Sequence, residues 1–427
     1  MSDGFLPGGI KSPVQMVIAG DRLVDVAVQL TNGRRLSAQF EVPPLEILTV
    51  QDQFHQRLPR FDSNGGWWGQ GASLGILYQT LEEGSVQVHS ASHRQGEEFL
   101  DGKDFQVYWQ MGQVGQTEDS RIGDRPTYVS FRHTPPRLDS VVLTKSETLE
   151  LRLGRPQAFM PQPPSLASNE ARLGNIYQVF RQEKLTNGNL FPILEVGYHV
   201  RTLPVAEQLL PNTMRKLRNG DTLKILAWGD SITEGEYVPL PQENCWQSQL
   251  VSKLHERFPA ARLELVTSAW GNHNSNDFLQ ERAGAAHNYV EQVIDVRPDL
   301  VISEFLNDRS LTDAQLDTNY RRFLVDFRAI GAEWLILTPP YTAENAFVMM
   351  PPEMQKQVES DERHITAFLR RFAIENHLPL AEAGERFVAL RRQGIPHLTV
   401  MVNNYNHPGI FGLSLLADAA LQIFPER

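Results

Sequence analysis

Leu223-Lys224-Ile225-Leu226-Ala227-Trp228 leads directly into Gly229-Asp230-Ser231-Ile232-Thr233-Glu234-Gly235. The first six residues are an apolar run of strand length, as expected of a strand buried on both faces. The next seven place a serine between glycines, at the carboxyl end of that strand and ahead of a helix. Open α/β sheets bind their ligands at such strand ends. Working outward, similar apolar runs predict strands at 223–229, 262–269, 299–306, 333–338 and 397–402. Amphipathic helices fall between them. Trp246, Leu250, Val251, Leu254 and Phe258 share one helical face. Leu316, Tyr320, Phe323, Leu324, Phe327 and Ile330 share a second, and Val358, Ile365, Phe368, Leu369 and Phe372 a third. Strands alternating with helices predict a parallel sheet covered on both faces, with right-handed crossovers and every strand's carboxyl end on one side.

Three further short blocks follow at or near strand ends: Gly271-Asn272, Asn307-Asp308 and His407-Pro408. Each block alone is a common peptide, but their order is informative. Together with Gly-Asp-Ser they resemble the SGNH (GDSL-like) hydrolase superfamily, named for a serine, glycine, asparagine and histidine. The matching residues are Ser231, Gly271, Asn307 and His407, and the resemblance covers roughly residues 221–427. It implies a flavodoxin-like three-layer α/β/α catalytic domain that works without metal or cofactor. It also implies a Ser231 nucleophile, a His407 base, and an oxyanion hole made by the Ser231 and Gly271 backbone N–H groups and the Asn307 side chain.

The chemistry suits these residue types. A serine hydroxyl needs a base within hydrogen-bond reach. An imidazole can take the proton and return it to a leaving alcohol. A glycine lets backbone approach the substrate closely, and an asparagine amide is a neutral donor. Two departures from the family pattern stand out. Phe305 occupies the position where the third block usually has glycine, either narrowing the pocket floor or filling core beneath it. Asn404 stands three residues before His407, where the family usually has aspartate. An amide cannot stabilise an imidazolium as a carboxylate does, and a triad built on the acid loses about 10⁴-fold without it. Some superfamily members, two-domain carbohydrate esterases among them, work with a Ser–His dyad. These hold the histidine by a backbone carbonyl or another group. Asn404 is a candidate for that role through its side-chain oxygen, or else a loop residue bonding local backbone; Asp230 and Glu304 are carboxylates near the site by sequence, with nothing in it to show that they reach His407. Asp230, Asn272 and Asp308 are candidate site-shaping residues, with Asp308 capping a helix or fixing the loop after the third strand.

The first half of the chain has a period of two. Val24, Val26, Val28 and Leu30 alternate, Asn32-Gly33 follows, and Leu36, Ala38, Phe40 and Val42 alternate again. This is a hairpin signature. Phe105, Val107, Trp109 and Met111 repeat the pattern, as do Leu149, Leu151 and Leu153. Short strands between turn residues predict an all-β, jelly-roll-like sandwich over residues 1–210, carbohydrate-binding or site-completing, ahead of the hydrolase domain at 211–427. The four prolines between Arg155 and Ser165 read as an extended strap. Trp67-Trp68, among glycines, is a candidate ligand or domain contact, whereas Trp109 reads as core. The stretch 341–352 is apolar enough for a lid, a lip over the site or a subunit contact, and the sequence leaves these three open.

With 41% hydrophobic and 21% charged residues, the chain has an ordinary globular composition and, at 427 residues, room for two domains. A net charge of −11 argues against nucleic acid or an anionic membrane as partner and is compatible with a small-molecule or glycan ester. No run reaches the ~18–20 apolar residues of a membrane span. The single cysteine, Cys245, excludes an intrachain disulfide. The first residues lack a basic start followed by an apolar core, so no signal peptide is read and a cytoplasmic setting is expected, with secretion by another route left open. The pairing of a jelly-roll-like half with this catalytic half resembles known carbohydrate esterases, and that resemblance implies a serine esterase removing O-acetyl groups from a carbohydrate. The rival readings are a lipid or thioester hydrolase, favoured by an apolar groove at 341–352, and a glycan-binding protein whose hydrolase half has weakened. Oligomeric state is not legible.

Overall fold

The computed structural model describes residues 10, 14–60, 72–76, 80–109, 112–179, 182–194, 203–236, 238–340, 352–402 and 406–426, with the side chains of 352–363 excepted. The chain is a mixed α/β protein whose described residues form one parallel five-stranded sheet and four antiparallel sheets. It divides into two compact units. One contains the residues up to 197 together with Arg392–Thr399. The other contains residues 198–391, Val400–Val402 and Asn406–Arg427.

In the first unit the predicted hairpin forms. Leu23–Gln29 pairs antiparallel with Arg35–Glu41, Val26 lies opposite Ala38, and Gly33 takes a φ of 84° that few other residues tolerate. Val24, Val26 and Val28 turn inward against Val141, Leu173 and Ile176. A second core gathers Val88, Phe99, Phe105, Val129 and Phe131, and Trp109 packs against it. The proline-rich strap has no regular element. It is tied down by the Arg172 guanidinium donating to the Pro164 carbonyl (2.6 Å) and the Gln157 N–H donating to the Pro136 carbonyl (3.0 Å). A late segment of chain completes this unit. Ile193 bridges to Gln393, and the Asn175 side-chain amide donates to the Gly394 carbonyl at 2.6 Å. Trp67-Trp68 lies outside the described residues, as does the stretch 341–351.

The second unit is built on the parallel sheet. Its strands, in chain order, are Thr222–Gly229, Arg262–Ala269, Leu300–Glu304, Glu333–Leu337 and Leu380–Ala381. In space the second lies beside the first, and the third, fourth and fifth follow on the first strand's other side. The chain therefore reverses direction across the sheet at the first strand, which makes its carboxyl end a topological switch point. Four of the five predicted strands form within two residues of the expected limits. The prediction at 397–402 is corrected. His397–Val400 is a 3-10 turn, because Thr399 donates to the Pro396 carbonyl from both its N–H (3.0 Å) and its hydroxyl (2.7 Å). The fifth strand is the two-residue Leu380–Ala381.

Trp228, fully buried in the first strand, organises the core on one side of the sheet. Phe278, Phe305, Phe323 and Phe327 meet it edge-on with ring centroids 4.8–6.1 Å away. Such pairs contribute ~0.5–1.5 kcal/mol each beyond their buried area. Phe305, in the place of the usual glycine, is thus a core residue beneath the third strand's end. Among the described residues no helix is long and apolar enough to cross a membrane.

Candidate active site

The turn after the first strand is built by its glycines. A Cβ on Gly229 would overlap the Thr233 hydroxyl and the Glu304 carbonyl, so only glycine lets the strand end this close to its neighbour. Asp230 is the N-cap of the short helix Ser231–Glu234, accepting from the Ile232 N–H at 3.1 Å. Gly235 closes that helix in the left-handed conformation, φ 80°. The Thr233 hydroxyl donates to Glu304 (3.2 Å) and accepts from the Trp246 indole (3.2 Å), while Gln247 donates to the Thr233 carbonyl (2.7 Å). Ser231 is thereby held at the rim of the sheet with only 6% of its surface exposed.

Each remaining block follows an adjacent strand or returns to the same rim. The second strand continues through Trp270, whose N–H donates to the Gly229 carbonyl at 3.1 Å. This sets the Gly271 backbone against the Ser231 turn. A Cβ there would lie 3.7 Å from the Ser231 Cβ and 2.7 Å from a Glu234 carboxylate oxygen. Asn272 takes a φ of 62°, a region that non-glycine residues seldom occupy. The Gly271 carbonyl accepts from His273 Nδ1 at 2.7 Å, which fixes the hydrogen of that ring on Nδ1. After the third strand, the Asn307 N–H donates to Asp230 Oδ2 at 2.9 Å, and its side-chain amide points to the His273 carbonyl at 3.4 Å. Asp230 therefore divides its two oxygens between the Ser231 turn and the Asn307 loop, joining the two.

His407 arrives from the far end of the chain. Its carbonyl accepts from the Val402 N–H (2.8 Å), Met401 bridges to Pro408, and the Gly409 N–H donates to the Val400 carbonyl (2.8 Å). Gly409 then caps the helix Ile410–Leu421. The ring is buried, 6% exposed, and its Nε2 lies 2.9 Å from Ser231 Oγ across 176 positions of sequence. Asn404, the candidate orienting residue, lies outside the described residues.

Behind the serine stand three fully buried carboxyls, Asp230, Glu304 and Asp308. Burial pushes Asp230 up to about 6, against the pull of its two backbone donors, His407 and Arg309. Burial, with the nearby Asp230 charge second, holds Glu304 well above the usual carboxylate range. Burial pushes Asp308 up to about 7, although it accepts from the Ser275 N–H (2.7 Å) and the Tyr320 hydroxyl (2.9 Å). Asp308 thus ties the loop after the third strand to the start of the helix Ser275–Gln280 and to the long helix Asp313–Ile330.

These shifts carry a stability prediction. A carboxyl raised from ~3.9 in the unfolded chain favours folding in acid, and that contribution is lost as the pH climbs through the folded value. For Asp308 the amount is on the order of 4 kcal/mol. Urea unfolding should show stability falling between about pH 4 and about pH 7, and falling less in Asp308→Asn, whose amide oxygen still accepts from Ser275. Equal losses in the two proteins would refute the buried-acid account.

Sequence reasoning missed Glu236. Its carboxylate lies 3.3 Å from His407 Nε2. An acidic residue directly after the Gly235 cap was the available signal. Among the described residues no group of three or more His, Cys, Asp or Glu side chains is placed to hold a metal ion.

No protein-family model matches the chain, and neither does any curated protein. Solved structures do resemble it. A two-domain esterase (CEX) active on acetylated mannans has 20% identity and a TM-score of 0.37, the match covering 49% of this chain and 50% of that one. The match thus spans about half the length of that esterase. An acetylxylan esterase, Axe2 of Geobacillus stearothermophilus, has 19% identity and a TM-score of 0.37, over 48% of this chain and 95% of that one. LAE5, an α/β hydrolase from the metagenome of Lake Arreo, Spain, has 17% identity and a TM-score of 0.35, over 47% and 93%.

Proposed function

We propose that this chain is a serine ester hydrolase of SGNH type, whose catalytic half has the flavodoxin-like three-layer arrangement and follows a jelly-roll-like N-terminal half. The observation that carries the reading is the 2.9 Å contact between Ser231 Oγ and His407 Nε2, with the Gly271 backbone and Asn307 on the adjoining strand ends.

In this reading the Ser231 oxygen bonds to the acyl carbon as its proton passes to His407 Nε2. The carbonyl electron pair moves onto oxygen, where the Ser231 and Gly271 N–H groups and the Asn307 amide receive it. Collapse expels the alcohol, which takes the proton from Nε2 and leaves an acyl-enzyme. Water attacks next and gives its proton to the same nitrogen. The second collapse releases the acid and returns the proton to Ser231. Asp230 serves as the brace that keeps the Ser231 turn and the Asn307 loop in register.

The substrate class, O-acetyl groups on a carbohydrate, rests on the resemblance of a jelly-roll-like half paired with this catalytic half to known carbohydrate esterases. The test is acetate release from acetylated oligosaccharides alongside hydrolysis of p-nitrophenyl acetate and octanoate. Faster turnover of acetyl than octanoyl esters, with acetate freed from the oligosaccharide, is the expected result. Preference for octanoate would favour the lipid or thioester reading, and no hydrolysis of any ester would favour the glycan-binding one.

A further inference from the structure

Three features of the site bear on Glu236. The left-handed cap at Gly235 sends the chain back over the nucleophile, and the Glu236 N–H donates to the Ser231 carbonyl at 3.2 Å. The turn that presents the serine therefore also fixes the backbone of the glutamate. Its carboxylate lies 3.3 Å from His407 Nε2, the same nitrogen that faces Ser231 Oγ. The last sequence block has an amide, Asn404, where its pattern calls for an acid.

We infer that Glu236 is the carboxylate that stabilises the His407 imidazolium, meeting it at Nε2 rather than at Nδ1. This rests on the proposed esterase reading and adds a residue to it. When Nε2 takes the Ser231 proton, the new positive charge forms beside an anion already in place, so the proton transfer is favoured.

Other charges surround the ring. Asp230 feels the His407 charge and also Arg309, and Glu304 and Asp308 lie behind Asp230. Glu234 places its carboxylate over Gly271. Glu236 differs from all of these in reaching the nitrogen that exchanges the proton. It is also partly exposed, with 37% of its side chain accessible. Its pull is therefore partly screened by solvent.

The test uses two readouts. In pH profiles of kcat/KM, Glu236→Gln should lower the plateau about tenfold and move the acidic limb to lower pH, because the imidazolium loses its counter-charge. Glu236→Asp should recover part of both. Independently of turnover, NMR titration of the His407 ring, assigned with His407→Gln, should give a lower midpoint in Ser231→Ala/Glu236→Gln than in Ser231→Ala. An unmoved midpoint would overturn the inference, as would an unmoved limb with activity lost equally at every pH. Absence of Ser231-dependent turnover combined with a shifted midpoint would overturn the esterase reading and leave the Glu236–His407 pairing standing.

Discussion

Ser231→Ala is expected to reduce kcat/KM for p-nitrophenyl acetate by about 10⁴-fold or more, with folding unchanged. The size follows from the chemistry. Without the hydroxyl there is no nucleophile for His407 to activate and no acyl-enzyme. What remains is the background catalysis of a site that still binds substrate and still offers oxyanion donors. Folding should survive because the turn is held by other groups: the Asp230 cap, the Gly235 closure, and the Thr233 network with Glu304, Trp246 and Gln247. The hydroxyl's own partner is His407. Steady-state kinetics and circular dichroism on the variant check both halves. Residual activity near the wild-type level would remove Ser231 from the reaction.

Asn307→Ala is expected to cost roughly 10²–10³-fold in kcat with little change in KM. The amide is proposed to act on the oxyanion, which exists only after attack, so its loss should fall on the chemical step and spare ground-state binding. The variant leaves the backbone bond from residue 307 to Asp230 intact, so the brace between the Ser231 turn and this loop is preserved. A rise in KM at constant kcat would show instead that the amide holds substrate. No change in either constant would leave it as a loop residue bonded to the His273 carbonyl.

The sheet was legible because its strands are buried on both faces and read as continuous apolar runs. Val301, Ile302, Leu335 and Ile336 are all inaccessible. The Asn32-Gly33 hairpin was legible because a left-handed turn leaves its mark in residue type. The fifth strand was not, because two residues carry no periodicity, while the apolar segment 397–402 mimicked a strand that Thr399 folds into a turn. Phe305 was ambiguous until Trp228 appeared edge-on beside it, a contact set by the packing of two strands. The approach of His407 to Ser231, 2.9 Å between Nε2 and Oγ, was readable from motif and order. The glutamate at 236 was not, since its meaning depends on a histidine that arrives from the other end of the domain. The upward shifts of the Asp230, Glu304 and Asp308 carboxyls were equally hidden, because burial, which the residue names do not reveal, causes them.

The proposed reaction requires the alcohol of residue 231 to be an activated nucleophile because an imidazole from residue 407 reaches it. Labelling with a fluorophosphonate and mapping the adduct by mass spectrometry tests this most directly, since displacement of fluoride needs the same proton transfer to Nε2. A single adduct on Ser231 in the wild type, absent in Ser231→Ala and strongly slowed in His407→Ala, is the predicted result. No adduct on the wild type, or the same labelling rate without the imidazole, would contradict it.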